Sequence, residues 1–102
     1  MADHIDFSMS KRTATKCRRA VDFAGEMETG DTVATVSVTA KDETDVDVTS
    51  SLISAAAASG TKAVWTLLGF GVVSGTYYVR VVATTTQGDI LAKVVKLTID
   101  GL

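Results

Sequence analysis

Residues 32–40 alternate between apolar and hydroxyl-bearing side chains, and this alternation constrains the fold more than any other feature of the sequence. Successive side chains of a β-strand point to opposite faces, so a period of two is typical of a half-buried strand. The pattern predicts that Ala34, Val36 and Val38 lie on the buried face. Thr35 and its hydroxyl-bearing neighbours along the segment are predicted to face solvent.

The composition extends this prediction to the whole chain. Threonine and valine account for 29 of the 102 residues, and their β-branched side chains fit a pleated surface better than a helix. Proline and asparagine are absent, so the turns depend on glycine, aspartate, serine and threonine. A chain with this composition is expected to be all-β.

Short apolar runs separated by turn residues recur at the spacing of a sandwich. The predicted strands are residues 19–24, 32–40, 45–49, 62–68, 76–85 and 90–99. In residues 62–68 the alternation predicts that Ala63, Trp65 and Leu67 face inward. In residues 76–85 it places on the inward face Tyr77, Val79, Val81 and Ala83, and on the other face Tyr78, Arg80, Val82 and Thr84. Residues 50–59 are predicted as either an irregular strand or one short helical turn, because four consecutive alanines favour a helix. In the last strand Lys93 and Lys96 cannot share a face, which predicts a β-bulge at Val94 and Val95.

A tyrosine at the start of the penultimate predicted strand indicates which sandwich this is. Tyr77 precedes the inward position Val79 by two residues, the spacing of the tyrosine corner of immunoglobulin domains. In that corner the tyrosine hydroxyl hydrogen-bonds to the backbone of the preceding loop. The predicted fold is an all-β, immunoglobulin-like β-sandwich of about seven strands with an N-terminal extended arm.

The arm is predicted to span residues 1–17 and the sandwich residues 18–102. Five of the ten Lys and Arg residues lie close together at its end: Lys11, Arg12, Lys16, Arg18 and Arg19. The arm is either a solvated, partly mobile terminus or a segment that docks on a partner. We treat it as a contact arm, and expect deletion of residues 1–17 to abolish assembly without changing the thermal transition of the sandwich.

The residues that usually carry catalysis or bind metals are scarce. The single histidine, His4, and the single cysteine, Cys17, allow neither a Ser–His–Asp triad nor an internal disulfide. The carboxylates of residues 42–47 could supply oxygen ligands to calcium, but they lack the EF-hand spacing, so a solvated acidic face is the preferred interpretation. We therefore predict no catalytic residue, no cofactor and no metal, and a protein that is not an enzyme.

Charge and hydropathy narrow the class of partner. The formal net charge is −2, so we do not expect nucleic-acid binding, and no apolar stretch is long enough to predict a membrane span. Another protein is the class of partner that remains. Beside the basic residues of the arm, the predicted contact candidates are Tyr78 and Phe70, with the outward valines Val33, Val64 and Val82 as a possible apolar interface.

Several segments together resemble a known family. They are the Val21-Asp22-Phe23 strand, Gly30-Asp31-Thr32-Val33, the strand ending in Gly69 and Gly71, Gly75-Thr76-Tyr77-Tyr78-Val79, and residues 83–88. Over roughly residues 18–99 the sequence is similar to the small immunoglobulin-like proteins of tailed bacteriophages, in particular the fiber-tail adaptor and neck proteins.

This resemblance implies a non-enzymatic structural virion protein, made in the host cytoplasm and located at the phage neck or tail. It implies an adaptor that joins connector or tail subunits to fibers or to neighbouring subunits, as a homo-oligomer in the assembled particle. The alternative is a carbohydrate- or receptor-binding β-sandwich module, which would need exposed aromatic side chains clustered at one end.

Overall fold

A computed structural model describes residues 7–12, 16–68 and 74–100 of the chain, with residues 7 and 12 described by their backbone. The residues described form seven strands and two short helical turns. The strands are β1 (Phe7–Arg12), β2 (Cys17–Asp22), β3 (Val33–Asp42), β4 (Ile53–Ser59), β5 (Lys62–Leu67), β6 (Gly75–Thr85) and β7 (Ile90–Asp100). A 3-10 turn covers Ala24–Glu26, and the helix α1 covers Thr49–Leu52.

The strands form two sheets with the strand order of an immunoglobulin sandwich. One sheet has the order β2-β5-β4, and the other has the order β1-β7-β6-β3. These are the B-E-D and G-F-C arrangements of that fold, except that the first strand joins the sheet of the last strand. There β1 runs parallel to β7, while every other pairing is antiparallel. The prediction of an all-β, immunoglobulin-like sandwich is confirmed.

The core lies between the two sheets and follows the period-two alternation of the strands. The three-stranded sheet contributes Trp65 and Leu67 from β5, each 1% exposed, and the four-stranded sheet contributes Val79 and Val81 from β6. Phe23, which follows β2, is fully buried beside them. The inward faces predicted for the strands at 62–68 and 76–85 are therefore confirmed.

The beginning of β3 departs from the predicted alternation. Its register against β6 shifts between Val33 and Thr35, so one extra residue is accommodated there. As a result Val33 is buried and Ala34 is exposed, the reverse of the prediction, whereas Val38 faces inward as expected. Val33 is consequently a core residue and cannot contribute to an outer apolar interface.

The predicted bulge in β7 is wrong. The register of β6 against β7 runs without a shift from Gly75 opposite Ile99 to Thr84 opposite Ile90. Lys93 instead occupies an inward position near one end of the strand. Its Nζ lies 2.7 Å from Oε1 of Glu26 and 5.4 Å from the centre of the Phe23 ring. A long aliphatic stem lets a lysine pack inward while its ammonium reaches a partner at the rim.

The segment after β3 also differs from its prediction. Residues 45–49 do not form a strand, because the chain turns at Asp45, which has a φ of 69°, and makes one isolated bridge between Asp47 and Lys41. For residues 50–59 both predicted alternatives occur in succession, since the turn of α1 leads directly into β4. The strand is irregular, with a register shift between Ser54 and Ala57.

Residues 7–12 are part of the sandwich rather than a separate arm. All six residues of β1 pair with β7, from Phe7 opposite Val95 to Arg12 opposite Asp100. Met9 packs against the core, and Lys11 is 6% exposed. Deletion of residues 1–17 would remove this edge strand, so we expect it to lower the thermal transition of the sandwich rather than leave it nearly unchanged.

One end of the sandwich is held together by hydrogen bonds between loops. Oδ1 of Asp31 accepts hydrogen bonds from the Thr86 hydroxyl and from the backbone N–H of Thr32, and the N–H of Thr86 donates to the carbonyl of Thr32. The N–H of Val33 donates to the carbonyl of Gly60, 2.8 Å away. These bonds connect the β2–β3, β4–β5 and β6–β7 connections and keep that end rigid.

Tyr77 lies where the tyrosine-corner hypothesis requires. It is 9% exposed, faces inward two residues before Val79, and stands opposite Asp42 in the register. Burial raises the pKa of the Tyr77 phenol, and the negative charge of Asp42 raises it further. The hydrogen bond of its hydroxyl to the loop backbone stays a prediction.

Replacing Tyr77 by Phe tests that hydrogen bond. A buried hydroxyl that bonds to backbone contributes about 0.5–1.5 kcal/mol, so we expect Tyr77→Phe to lower the free energy of unfolding by about that amount. Tyr78→Phe is the matched control, since the neighbouring tyrosine points to the outer face, and it should change the value little. Chemical denaturation measures both. Equal unfolding free energies for wild type and Tyr77→Phe would contradict the predicted hydrogen bond of the Tyr77 hydroxyl to the loop backbone.

The Thr86–Asp31 hydrogen bond predicts a specific response to acid. The Thr86 hydroxyl is the main cause that lowers the pKa of Asp31 below 3.8, and burial of the carboxylate opposes it. A carboxylate with a lowered folded pKa stabilises the fold above its unfolded value, and that contribution is lost as pH falls through the folded value.

We therefore expect Thr86→Val to raise the pKa of Asp31 and to make the loss of stability below pH 3.8 shallower. Thr84→Val, on the outer face of β6, is the control and should leave both unchanged. A carboxyl-detected NMR titration and acid-dependent denaturation provide the two measurements. An Asp31 pKa that does not move in Thr86→Val would contradict the assignment of cause.

Candidate protein-contact surfaces

The basic residues predicted as a contact cluster do not share one surface. Lys11 is buried on the inner side of β1, and Arg12 takes part in the same strand through its backbone. Lys16 is exposed ahead of β2, and Arg18 is exposed on the outer face of the three-stranded sheet. Arg19, the next residue along, points inward and is half-buried, and its guanidinium donates to the carbonyl of Arg18.

Lys11 contributes to the fold rather than to an exposed surface. Burial lowers the pKa of its ammonium; the nearby Cys17 opposes this effect and the charge of Arg19 adds to it. The parallel register with β7 places Lys11 opposite the buried Ile99. Of the basic candidates whose side chains the structure describes, Lys16 and Arg18 are therefore the exposed ones.

Tyr78 is the predicted candidate around which a surface forms. It lies half-buried on the outer face of the four-stranded sheet, directly between Lys41 of β3 and Lys96 of β7. Arg80, two residues further along β6, is exposed on the same face, beside Thr39 and Val94. The other aromatic candidate, Phe70, lies outside the described residues.

We call the outer face around Tyr78 the basic face, defined by Lys41, Tyr78, Arg80 and Lys96. The side chains that surround it on β3, β6 and β7 carry hydroxyl or apolar groups: Ser37, Thr39, Thr76, Val82, Val94 and Thr98. Among the outward positions that the structure describes on the four-stranded sheet, the one carboxylate is Asp100, at the end of β7. Asp45, in the turn after β3, forms an exposed ion pair with Lys41 at 3.5 Å.

The sequence did not reveal the three cations of the basic face because they are far apart along the chain. Only the antiparallel register of β3, β6 and β7 brings Lys41 and Lys96 to either side of Tyr78. The alternation of β6 correctly placed Tyr78 and Arg80 outward together. That pair is the part of the surface that the sequence could indicate.

The carboxylates of residues 42–47 shape the turn that follows β3. Oδ1 of Asp42 accepts hydrogen bonds from the hydroxyl of Thr44, at 2.7 Å, and from the N–H groups of Val46 and Thr44, at 3.0 and 2.9 Å. Oδ1 of Asp47 accepts from the N–H and the hydroxyl of Thr49, at 2.9 and 2.7 Å. These bonds lower the pKa of both aspartates. Within the described ranges, no group of three or more His, Cys, Asp or Glu side chains is arranged to hold a metal ion.

The opposite outer face has a different character. On the three-stranded sheet the register places Asp22 beside Lys62 and Ala20 beside Val64, so cation, carboxylate and apolar groups are mixed. Val64 lies on this face and Val82 on the basic face, while Val33 is buried. The predicted apolar interface of these valines with Tyr78 is therefore wrong, because its members lie on different sides of the molecule.

None of the helical segments in the part of the chain that the structure describes is long and apolar enough to cross a membrane. A comparison with curated protein sequences found no match. The profile of one protein family, described as podophage GP4 fiber-tail adaptor protein gp77, matches residues 11–98. The match extends from the end of β1 through nearly all of β7, so it covers both sheets of the sandwich. The chain therefore belongs to the podophage GP4 fiber-tail adaptor protein gp77 family and is a structural adaptor of a bacteriophage virion.

Proposed function

We propose that this protein joins connector or tail subunits to fibers, or to neighbouring subunits, in the neck or tail region of a podophage particle. It acts without catalysis, is made in the host cytoplasm, and is present as a homo-oligomer in the assembled particle. The observation that carries the proposal is the family match over residues 11–98, which spans both sheets.

The arrangement of the two sheets supports this proposal. An adaptor must contact two different proteins, and a rigid sandwich presents two outer faces that point in opposite directions. The basic face of the four-stranded sheet and the mixed face of the three-stranded sheet differ in chemistry, so each suits a different partner. The hydrogen bonds between the loops at one end keep these faces in a fixed relation.

The burial of the aromatic side chains favours an adaptor over a sugar-binding module. Carbohydrate recognition by such a module would depend on exposed aromatic rings clustered at one end. Of the aromatic side chains that the structure describes, Phe23, Trp65 and Tyr77 are in the core. Tyr78 stands on the middle of a sheet with lysines on either side, a position better suited to a protein contact.

An amber mutation that prevents synthesis of this protein tests the proposal. We expect a phage with an amber codon in this gene to yield particles that keep head and DNA but lack fibers, because the joint between tail and fiber is missing. Electron microscopy and mass spectrometry of purified particles measure the loss, and expression of the chain in the host should restore the fibers. Particles that carry normal fibers without this protein would contradict the proposal.

A further inference from the structure

We propose that the basic face docks on an acidic protein surface of another virion component. The inference rests on the proposed adaptor function and deepens it by naming one contact face and the chemistry of its partner. The face is defined by Lys41, Tyr78, Arg80 and Lys96 on three adjacent strands.

The geometry of the basic face suits carboxylates. Lys41, Tyr78 and Lys96 are direct cross-strand neighbours, so the two lysine backbones lie roughly 10 Å apart with the phenol between them. Arg80 follows roughly 7 Å further along β6 on the same side. The lysines and the arginine supply charged donors, and the phenol and the neighbouring threonine hydroxyls supply neutral donors. Arginine and tyrosine are also the residue types enriched where protein interfaces bind most tightly.

Among the described residues, carboxylates balance the positive charge of this face only in part. Glu43 lies at its edge, where it accepts a hydrogen bond from the N–H of Thr76. Lys41 has Asp45 at 3.5 Å, in an exposed pair that water screens strongly. Among the outward positions described on these strands, the carboxylate is Asp100, and it lies at the end of β7 opposite Arg12, away from Arg80 in the register. A partner with two or more carboxylates would complete the balance and would be steered to this face.

A second copy of the chain fits this face less well than a different protein does. The strongest acidic segment of the chain is residues 42–47, and Asp42 and Asp47 already accept hydrogen bonds from their own turn. Glu43 accepts a hydrogen bond from the N–H of Thr76. Offering these carboxylates to a neighbouring copy would weaken the turn that joins β3 to α1.

Nucleic acid also fits less well. A phosphate backbone that follows the strands would run from the basic face toward carboxylates at the sheet ends: Asp45 beside Lys41 and Asp89 in the β6–β7 turn. Phosphates that extend beyond the basic face would be repelled by these carboxylates. Discrete carboxylates on a folded partner avoid that repulsion.

Carbodiimide crosslinking of assembled wild-type particles tests the inference directly. The reagent joins a lysine amine to a carboxylate in contact with it, forming an amide while the reagent takes up the water lost. We expect Lys96 to be joined to Asp or Glu of another virion protein. The Lys41–Asp45 link within the chain is the positive control, and Lys62 on the opposite face is the comparison lysine.

Several crosslinking results would overturn the inference. If Lys96 is joined only to carboxylates of a second copy of the chain, the basic face mediates self-association and does not bind a different acidic protein. Lys96 that stays unlinked while Lys62 links to other virion proteins would move the contact to the three-stranded sheet. Separately, protection of a labelled oligonucleotide by the basic face would identify nucleic acid as its occupant.

Charge reversal provides a second measurement and separates this inference from the proposed function. Arg80→Glu with Lys96→Glu should abolish restoration of fibers in the amber phage, while the charge-preserving pair Arg80→Lys with Lys96→Arg should restore them. Fibers restored by both variants would contradict the docking face but leave the adaptor function intact, whereas fibers on the amber particles themselves would contradict the function. Thermal unfolding checks that each variant folds. If Arg80→Glu with Lys96→Glu does not fold, the charge-neutralising pair Arg80→Gln with Lys96→Gln is used in its place.

Discussion

The unbroken antiparallel register between β6 and β7 determines both sides of the four-stranded sheet. Ten consecutive pairs, from Gly75 opposite Ile99 to Thr84 opposite Ile90, place Val79 and Val95 side by side in the core. The same register places Tyr78 beside Lys96 on the outer face. A slip of one residue would turn the buried face outward, so burial of the core and formation of the basic face are specified together.

The elements added to this pair convert it into a rigid body with two distinct faces. On one side β1 extends the sheet along β7, and on the other β3 brings Lys41 next to Tyr78. The connections at one end are held by Asp31 and by the Lys93–Glu26 ion pair, which packs over the Phe23 ring. These connections hold the two outer faces of the sandwich in a fixed relation.

The local sequence pattern was sufficient wherever the alternation within one strand determines which side chains face inward. The alternation in β5 and β6 correctly predicted Trp65 and Val79 as buried, and the tyrosine spacing correctly indicated an immunoglobulin-like arrangement. The errors arose where contacts with another element of the fold determine the orientation of a side chain or the register of a strand. The extra residue near Ala34 depends on the partner β6, and the inward position of Lys93 depends on Glu26 and Phe23. Docking of β1 likewise depends on a strand more than eighty residues away in the sequence.

The basic face was predictable to the same extent, because only the part that lies on one strand could be recognised in the sequence. Tyr78 could be selected from its outward position on one strand, whereas Lys41 and Lys96 became its neighbours only through two long-range pairings. A cluster of five cations near the N-terminus was the more conspicuous feature of the sequence. The pleat of β1 and β2 turns Lys11 and Arg19 toward the inside of the sandwich and Arg18 toward the outside, and so disperses the cluster.

The central claim is that other virion proteins hold this sandwich by its outer faces. Electron cryomicroscopy of the intact particle, at a resolution that separates strands, tests it most directly. The account predicts density for this chain between tail and fiber, with the Tyr78 side of the four-stranded sheet covered by a different protein. Density in which that side faces open solvent, or a particle from which the chain is missing, would contradict it.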